Sequence, residues 1–384
     1  MAFKHLFTPV YQAINIRILA SCLCFLSALA ICSEPGIQLA IIESNGSPPA
    51  TRQALYINFW AASSGSYRKK LLRKIKGSQI NALVIDVKNE FGELSYVSKN
   101  SIAINIGANQ KAYVKNAAHH LKPYKDRGLY LIARLSVFKD QLLASQYPQW
   151  AIKTSEKKVY QDRRGLSWTD PYQLPVQEYN IAIAVEAAQM GFDEIHFDYS
   201  RFPSVNGLLY AQKNNRANRV AAINSFLKGA RHKLNTENVK TSIATFGYSC
   251  WNEGDTYIGH NIKALAKQVD YISPMLYPSS FHLGIPNYTY AVAYPYEIVL
   301  LSLKKCVQTS GVSSRRFRPW LQAFKDYGFD KRPFSARHIF EQVFAASEFN
   351  GNGWMLWNPG SHYDKEKLPR PSDSFIKSHD AFSQ

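Results

Sequence analysis

The sequence is short of acid, short of cysteine, and lacks an uncharged apolar run long enough for a comfortable membrane span. Its 384 residues carry 28 Asp and Glu against 46 Lys and Arg, a formal net charge of +18. An excess of that size draws anionic partners, whether nucleic acid, lipid headgroups or acidic polysaccharide. The basic residues are scattered, with short clusters only at Arg68–Lys76 and Arg315–Arg318. No recognition helix, zinc-finger spacing or aromatic RNA-binding motif accompanies them, so nucleic acid is not the expected partner. A basic surface facing an acidic cell envelope fits better.

The longest uncharged stretch near the N-terminus runs from Ile18 to Cys32, between Arg17 and a polar segment, with Lys4 further upstream. At about fifteen residues it is short for a span and suits the apolar core of a secretory signal. Ala28-Leu29-Ala30 supplies the small residues of a cleavage site, whereas Ile31 is too large for the position before a lipoprotein cysteine. Residues 1–32 are therefore expected to be a signal peptide, the alternative being an uncleaved anchor. The mature chain would be periplasmic or secreted, touching a membrane only if that leader stays. Of five cysteines, Cys22 and Cys24 leave with the leader and Cys32 sits at its edge. Cys250 and Cys306 remain, too few for a disulfide framework and without zinc-ligand spacing. They can pair in an oxidising compartment or stay as buried thiols.

Other absences exclude function classes. No Gly-rich G-x-G-x-x-G turn follows the first apolar run, which argues against dinucleotide binding. No G-x-S-x-G elbow is present for a Ser–His–Asp hydrolase. His119 and His120 are adjacent and diverge on a helix, so no His pair suggests a metal. Neither a metal nor an organic cofactor is expected. No heptad or self-complementary patch speaks to oligomeric state.

What is present is globular: 46% hydrophobic residues, 19% charged, and 13% aromatic. The aromatics serve equally as core or as sugar-stacking faces. From residue 54, short apolar runs rich in β-branched and aromatic residues alternate with segments of helical period. The expected strands are Ala54–Trp60, Asn81–Val87, Leu129–Phe138, Glu194–Tyr199, Val239–Phe246, Tyr271–Tyr277, Phe317–Phe324 and Gly353–Asn358. Helices are expected at Lys111–Arg127, Val176–Met190, Arg216–Leu234, Pro295–Gln308 and Ser335–Phe349. Apolar strands alternating with helices predict a parallel sheet covered on both faces, and eight units predict one closed (β/α)8 barrel. The barrel is expected over 54–362, after a linker at 33–53 and before a tail at 363–384. Lys139–Pro175 and Pro278–Tyr294, following the third and sixth strands, are long enough to build an active face.

Polar residues at the C-terminal ends of barrel strands are candidates for catalysis. In Glu194-Ile195-His196-Phe197-Asp198 the alternation puts His196 and Asp198 on one face, the barrel interior. Asp198, with Arg201 just beyond, is a candidate nucleophile or base, or else a structural partner of Arg201. Asp86 ends the second strand, followed by Lys88, Asn89 and Glu90, and serves either the site or a bracing Asp–Lys pair. Arg134 in the third strand is costly to bury alone and is expected to meet Asp86 or Asp198. Asp170, on the long third loop, can reach the cleft. Trp168, Tyr277, Trp320 and Trp357 end or follow strands as sugar-stacking platforms or as core, with Asn358 beside the last.

Several segments resemble one bacterial family: Asn81–Lys88, Ile132-Ala133-Arg134 with Phe138-Lys139-Asp140, and Gly191–Ile195 with Phe197-Asp198-Tyr199. So do Arg201-Phe202-Pro203, Asp270–Met275 with Tyr277-Pro278, Arg318–Gln322, and Leu356-Trp357-Asn358-Pro359. Together, across roughly residues 54–362, they resemble the putative glycoside hydrolase TIM-barrel family. The resemblance implies a barrel distantly related to the α-amylase-like enzymes, with Asp198 where such enzymes place a nucleophile. The family pattern carries an acid in the fifth strand and another in the seventh, where this chain has Ala244 and Ala323. A glycosidase needs two carboxyl groups, so the second must come from Asp86, Asp170, Glu253 or Asp326, within about 5–10 Å of Asp198.

Three functions stay open at this point. One is an exported glycoside hydrolase acting on a cell-envelope or environmental polysaccharide. Another is a carbohydrate-binding pseudoenzyme that has lost a carboxylate, and the third an envelope scaffold docking anionic polymer. Two facing acids in the cleft would favour the enzyme, and one acid ringed by aromatics the binder.

Overall fold

The computed structural model describes residues 51–371. The expected leader, nearly all of the linker and the end of the tail lie outside the described residues. Eight parallel strands close into a barrel in chain order: β1 (Arg52–Ile57), β2 (Ala82–Lys88), β3 (Tyr130–Ser136), β4 (Glu194–Asp198), β5 (Lys240–Phe246), β6 (Tyr271–Met275), β7 (Trp320–Gln322) and β8 (Gly353–Trp357). Closure is made by β8 pairing with β1, Arg52 opposite Gly353. Gly353 has φ +86°, and a Cβ there would fall onto the Arg52 carbonyl, so only glycine admits the last strand at that register.

All eight expected strands are present, with shifts that have local causes. β1 starts at Arg52, where polar Arg52 and Gln53 hide the strand from an apolar pattern. It ends before Asn58, whose side chain accepts from Ala61 N–H and opens the helix Phe59–Ser63, leaving Trp60 exposed. β7 is only three residues long because Pro319 has no N–H to donate to the ladder. The helices Leu174–Gln189, Arg216–Leu234, Pro295–Ser310 and Ala336–Glu348 lie where the period placed them. The expected helix at 111–127 is shortened to Ala117–Lys125, because Val114 N–H bonds Ser95 O and Asn116 caps the helix.

Alternation divides the core in two. Leu55, Leu83, Ile85, Leu131 and Ile195 point outward against the helices. Ala54, Tyr56, Val84, Ile132, Ala244, Trp320 and Met355 fill the barrel interior. A register shift between Asp86 and Lys88 breaks the alternation at the end of β2. Asp86 stays inside, while Lys88 turns outward to Asp140 (2.7 Å), Ser136 O (2.8 Å) and Asn180 (2.9 Å). The tail is tied back as far as it is described, with Tyr363 OH donating to Tyr56 O at 2.8 Å and Gln79 N–H to Pro369 O at 2.8 Å.

Candidate active site

Asp198 ends β4 at the C-terminal mouth of the barrel, and the chain turns sharply there: Tyr199 has φ +48°. That turn lets Tyr199 N–H donate to Asp198 Oδ1 at 2.7 Å, while Val137 N–H and Phe138 N–H continue the ladder to the carbonyls of Asp198 and Tyr199. The carboxylate is thereby held rigidly, its side chain 13% exposed.

Beneath it lies Arg134, 1% exposed, which meets three carboxylates. Its Nε donates to Asp198 Oδ2 at 2.9 Å and its Nη2 lies 2.7 Å from the same oxygen. Nη1 reaches Asp86 Oδ1 at 2.6 Å, and Nη2 also reaches Glu90 Oε1 at 2.8 Å. Tyr56 OH donates to the other Asp86 oxygen at 2.6 Å. The guanidinium carbon sits 5.0 Å from the Trp357 ring centroid and 5.6 Å from that of Tyr56. Because one nitrogen holds both Glu90 and Asp198, their bonded oxygens are no more than about 5.5 Å apart, the two bond lengths laid end to end.

The environments push these groups apart. Burial raises the Asp86 carboxyl to about 6, against the lowering pull of Arg134. Burial also acts to raise Glu90, but Arg134 outweighs it and holds that carboxyl below its usual range. Burial would lower Arg134, yet Asp86, Asp198 and Glu90 together raise it well above its ordinary value.

Above the cluster opens a cleft of about 420 Å³, a size suited to a small ligand or a few sugar units. Arg134, Asp198 and Arg201 reach it from the β3–β4 side. The opposite side is aromatic: Phe246 ending β5 and Tyr248 after it, Tyr277 and Phe281 after β6, Trp320 and Tyr327 around β7, and Trp357 from β8. Gly247 is part of this wall, and a Cβ there would come within 2.6 Å of Met275 O and of the Phe281 ring.

The structure thus brings Asp198, Arg134, Arg201, Tyr277, Trp320 and Trp357 to one cleft. Asp86 lies behind Arg134, 3% exposed, as part of the cluster but not of the lining. His196 is sealed inside the barrel, bonded to Ser242 Oγ at 2.7 Å and accepting from Trp320 Nε1 at 3.1 Å. Below it the Glu194–Arg318 ion pair fills the barrel floor. Trp168 is buried, its Nε1 donating to Asp162 at 3.2 Å. Asn358 instead lines a smaller hollow of about 200 Å³ and donates to Ala323 O at 2.7 Å.

The other candidate second acids are occupied elsewhere. Asp170 accepts from Ala211 N–H (2.6 Å) and Tyr172 N–H (3.0 Å), and burial raises it to about 6. Asp326 accepts from Ser279 Oγ at 2.6 Å and from three backbone N–H groups of its own loop. Glu253 is an exposed loop residue. The carboxylate that does stand beside Asp198 is Glu90, two residues past the end of β2. The rule that strand ends carry the site could have singled it out, as it did Asp86. Among the described residues no group of His, Cys, Asp and Glu is arranged to hold a metal ion.

Residues 54–363 match the model of a family described as a putative glycosyl hydrolase domain. Among solved structures, a hypothetical protein from Ruminiclostridium thermocellum is 34% identical, over 49% of this chain and 96% of its own, with a TM-score of 0.45. The PgaB (BpsB) glycoside hydrolase domain from Bordetella bronchiseptica is 12% identical over 83% of this chain and 97% of its own, with a TM-score of 0.61. Alpha-L-fucosidase isoenzyme 2 from Paenibacillus thiaminolyticus is also 12% identical, over 83% of this chain and 47% of its own, with a TM-score of 0.56. At such identity the last two likenesses are likenesses of fold. A comparison with curated proteins finds no match.

Proposed function

This chain belongs to the family of putative glycosyl hydrolase domains, and from that premise we propose that it is an exported enzyme hydrolysing glycosidic bonds in a cell-envelope or environmental polysaccharide. The observation that carries the reading is the pair Asp198 and Glu90 on one Arg134 nitrogen, within about 5.5 Å of each other. That bound lies below the roughly 6.5–9.5 Å of an inverting pair and suits the retaining mechanism, in which carboxyl groups stand about 5–5.5 Å apart. Asp198 attacks the anomeric carbon as the glycosidic C–O bond breaks, and the leaving oxygen takes the proton of Glu90. Glu90 then removes a proton from water, which displaces Asp198 and releases the sugar with its configuration retained. The aromatic wall from β5 to β8 holds the sugar faces while the acids act from the β2–β4 side. The Cys250–Cys306 disulfide suits an oxidising compartment and supports export.

Arg134 holds Glu90 below its usual range, so the protonated acid is scarce at neutral pH. Hydrolysis is therefore expected to strengthen on acidification. The test is release of reducing ends from a panel of envelope and storage polysaccharides at about pH 5 and about pH 7.5. Wild type should release them, more at the lower pH, while Asp198→Asn abolishes release and Glu90→Gln reduces it at least about a hundredfold.

A second reading has its own observation: Asp198 is the sole acid in the lining of the cleft among the described residues, and aromatics surround it. On that reading the barrel binds sugar without cleaving it. Binding to a polysaccharide with no release from any, at either pH, would favour it over hydrolysis.

A further inference from the structure

Arg201 enters the cleft in a condition unlike the other cations of the barrel face. Arg134 has three carboxylates, Lys88 has Asp140, and Lys139 has Asp162 at 2.6 Å. Arg201 has none of these. Its one hydrogen bond among the described residues runs from Nη1 to Phe202 O at 3.0 Å. The guanidinium is instead packed among aromatic faces, 4.5 Å from the Phe246 centroid, 4.8 Å from Trp168 and 5.3 Å from Tyr199. Those faces orient the planar fork and partly replace its hydration, but they accept few of its five N–H donors.

Burial accordingly draws the guanidinium's pKa down, with Tyr199 and Asp198 acting the other way. A half-buried cation with no carboxylate in ion-pair contact is under-paired, and an anionic ligand would complete it. Arg201 lines the same cleft as Asp198, so the anion it meets is carried by the molecule lying across Asp198. The neighbouring acids do not fill this role. Of the three on Arg134, only Asp198 lines the cleft, and its Oδ2 is engaged by Arg134 while its Oδ1 accepts from Tyr199 N–H.

We propose that Arg201 is the specificity-determining residue of this cleft, and that it selects sugars bearing a carboxylate, the uronic acids. The inference rests on the reading of the cleft as a carbohydrate site. A carboxylate presents two oxygens to the fork; a sulfate ester can present two as well, and the titration below separates the two. The chain's net charge of +18 acts in the same direction at long range, concentrating polyanions near the surface. Arg201 supplies the short-range part, at one subsite beside the scissile bond.

The experiment is calorimetric titration of the full-length protein with a sulfated neutral oligomer and with oligomers of galacturonate, glucuronate and mannuronate. Each uronate is paired with the same oligomer after its carboxylates are reduced to hydroxymethyl groups. The titrations are run at low salt and at roughly physiological salt, so that general attraction to the basic surface is screened out. Wild type should bind at least one acidic oligomer about tenfold or more tightly than its neutral counterpart at the higher salt. Arg201→Gln should bring that acidic oligomer down to the affinity of the neutral one. Arg201→Lys, which keeps the charge and loses the fork, should restore only part of the preference. Circular dichroism melts of both variants confirm the fold. Equal binding of every acidic oligomer and its reduced form by wild type overturns the proposal and leaves the sugar site standing. So does a preference that persists in Arg201→Gln, or tighter binding of a sulfated oligomer than of any uronate. Binding of no oligomer at all overturns both the proposal and the reading beneath it.

Discussion

Replacing Arg134 by Met keeps a stem of similar bulk in the barrel mouth and removes the guanidinium that three carboxylates share. Removing one partner of a buried ion pair costs about 3–5 kcal/mol, because the other charge is left uncompensated. Here Asp86, Glu90 and Asp198 all lose their common cation, so the loss should reach the upper part of that range near pH 7.5. It should also depend on pH, in a direction set by the acids. In the wild type burial raises Asp86 to about 6 even with Arg134 pulling it down, and Arg134 keeps Glu90 below its usual range. Without Arg134 both carboxyls rise well above their unfolded values. A carboxyl raised by folding contributes stability that is present below its unfolded pKa and lost as pH rises through its folded pKa. The variant should therefore regain stability on acidification, while the wild type gives up what its lowered Glu90 contributes. Urea unfolding followed by tryptophan fluorescence at about pH 5 and about pH 7.5 measures both. The gap between the two proteins should be large at the higher pH and clearly smaller at the lower one. An equal loss at the two pH values, or none near neutrality, would show that Arg134 does not neutralise this cluster.

Two further outcomes follow from the walls of the cleft. Cys250 ends the turn after β5 that carries Gly247 and Tyr248, and it is joined to Cys306 across a separation of 56 residues. Loop-closure entropy for that length is worth about 4 kcal/mol, so Cys306→Ser should lower Tm by several degrees. Reductant should lower the wild type similarly and leave the variant unmoved; a melt indifferent to both would remove the bond from the stability argument. Gly247→Ala forces a Cβ toward Met275 O, a backbone atom that cannot swing aside, and toward the Phe281 ring. It should cost about 1–3 kcal/mol in unfolding and weaken oligosaccharide binding, and a variant that melts and binds like wild type would show that the wall yields there.

The barrel was legible because its outer core obeys the simplest rule in the chain. Residues such as Leu83, Ile85, Leu131 and Ile195 pack against helices, and their apolar runs are visible without any contact being known. The site was legible in part for the same reason: Asp86, Arg134 and Asp198 interrupt those runs on the inward face. The partnership of the Arg134 cluster was only half visible. That Arg134 meets both Asp86 and Asp198 follows from neighbouring strands in register, Asp86 opposite Arg134 and Ser136 opposite Asp198. Glu90 was visible at the end of β2 but not as an acid of the site, because beyond the strand loop geometry and not alternation decides direction. Lys88 illustrates the same limit, since a single register shift sends it outward to Asp140 and away from Asp86. Phe246, Phe281 and Tyr327 were passed over because an aromatic at a loop start is indistinguishable from core until the loop is placed.

Ala244, where the family resemblance implied an acid, then takes on a physical meaning. Ala244 points into the barrel among Tyr277, Trp320 and Met355, in an apolar cluster with no acid. Its half of the barrel mouth is consequently free to be aromatic, and every ring that lines the cleft from β5 to β8 lies on that half. The charged cluster comes from β2, β3 and β4 and the turn after β2, as Asp86, Glu90, Arg134 and Asp198. An inverting enzyme needs its two carboxyls about 6.5–9.5 Å apart to admit a water, and the bonded oxygens of Glu90 and Asp198 stand closer than that. For the proposed hydrolysis, that spacing argues for retention.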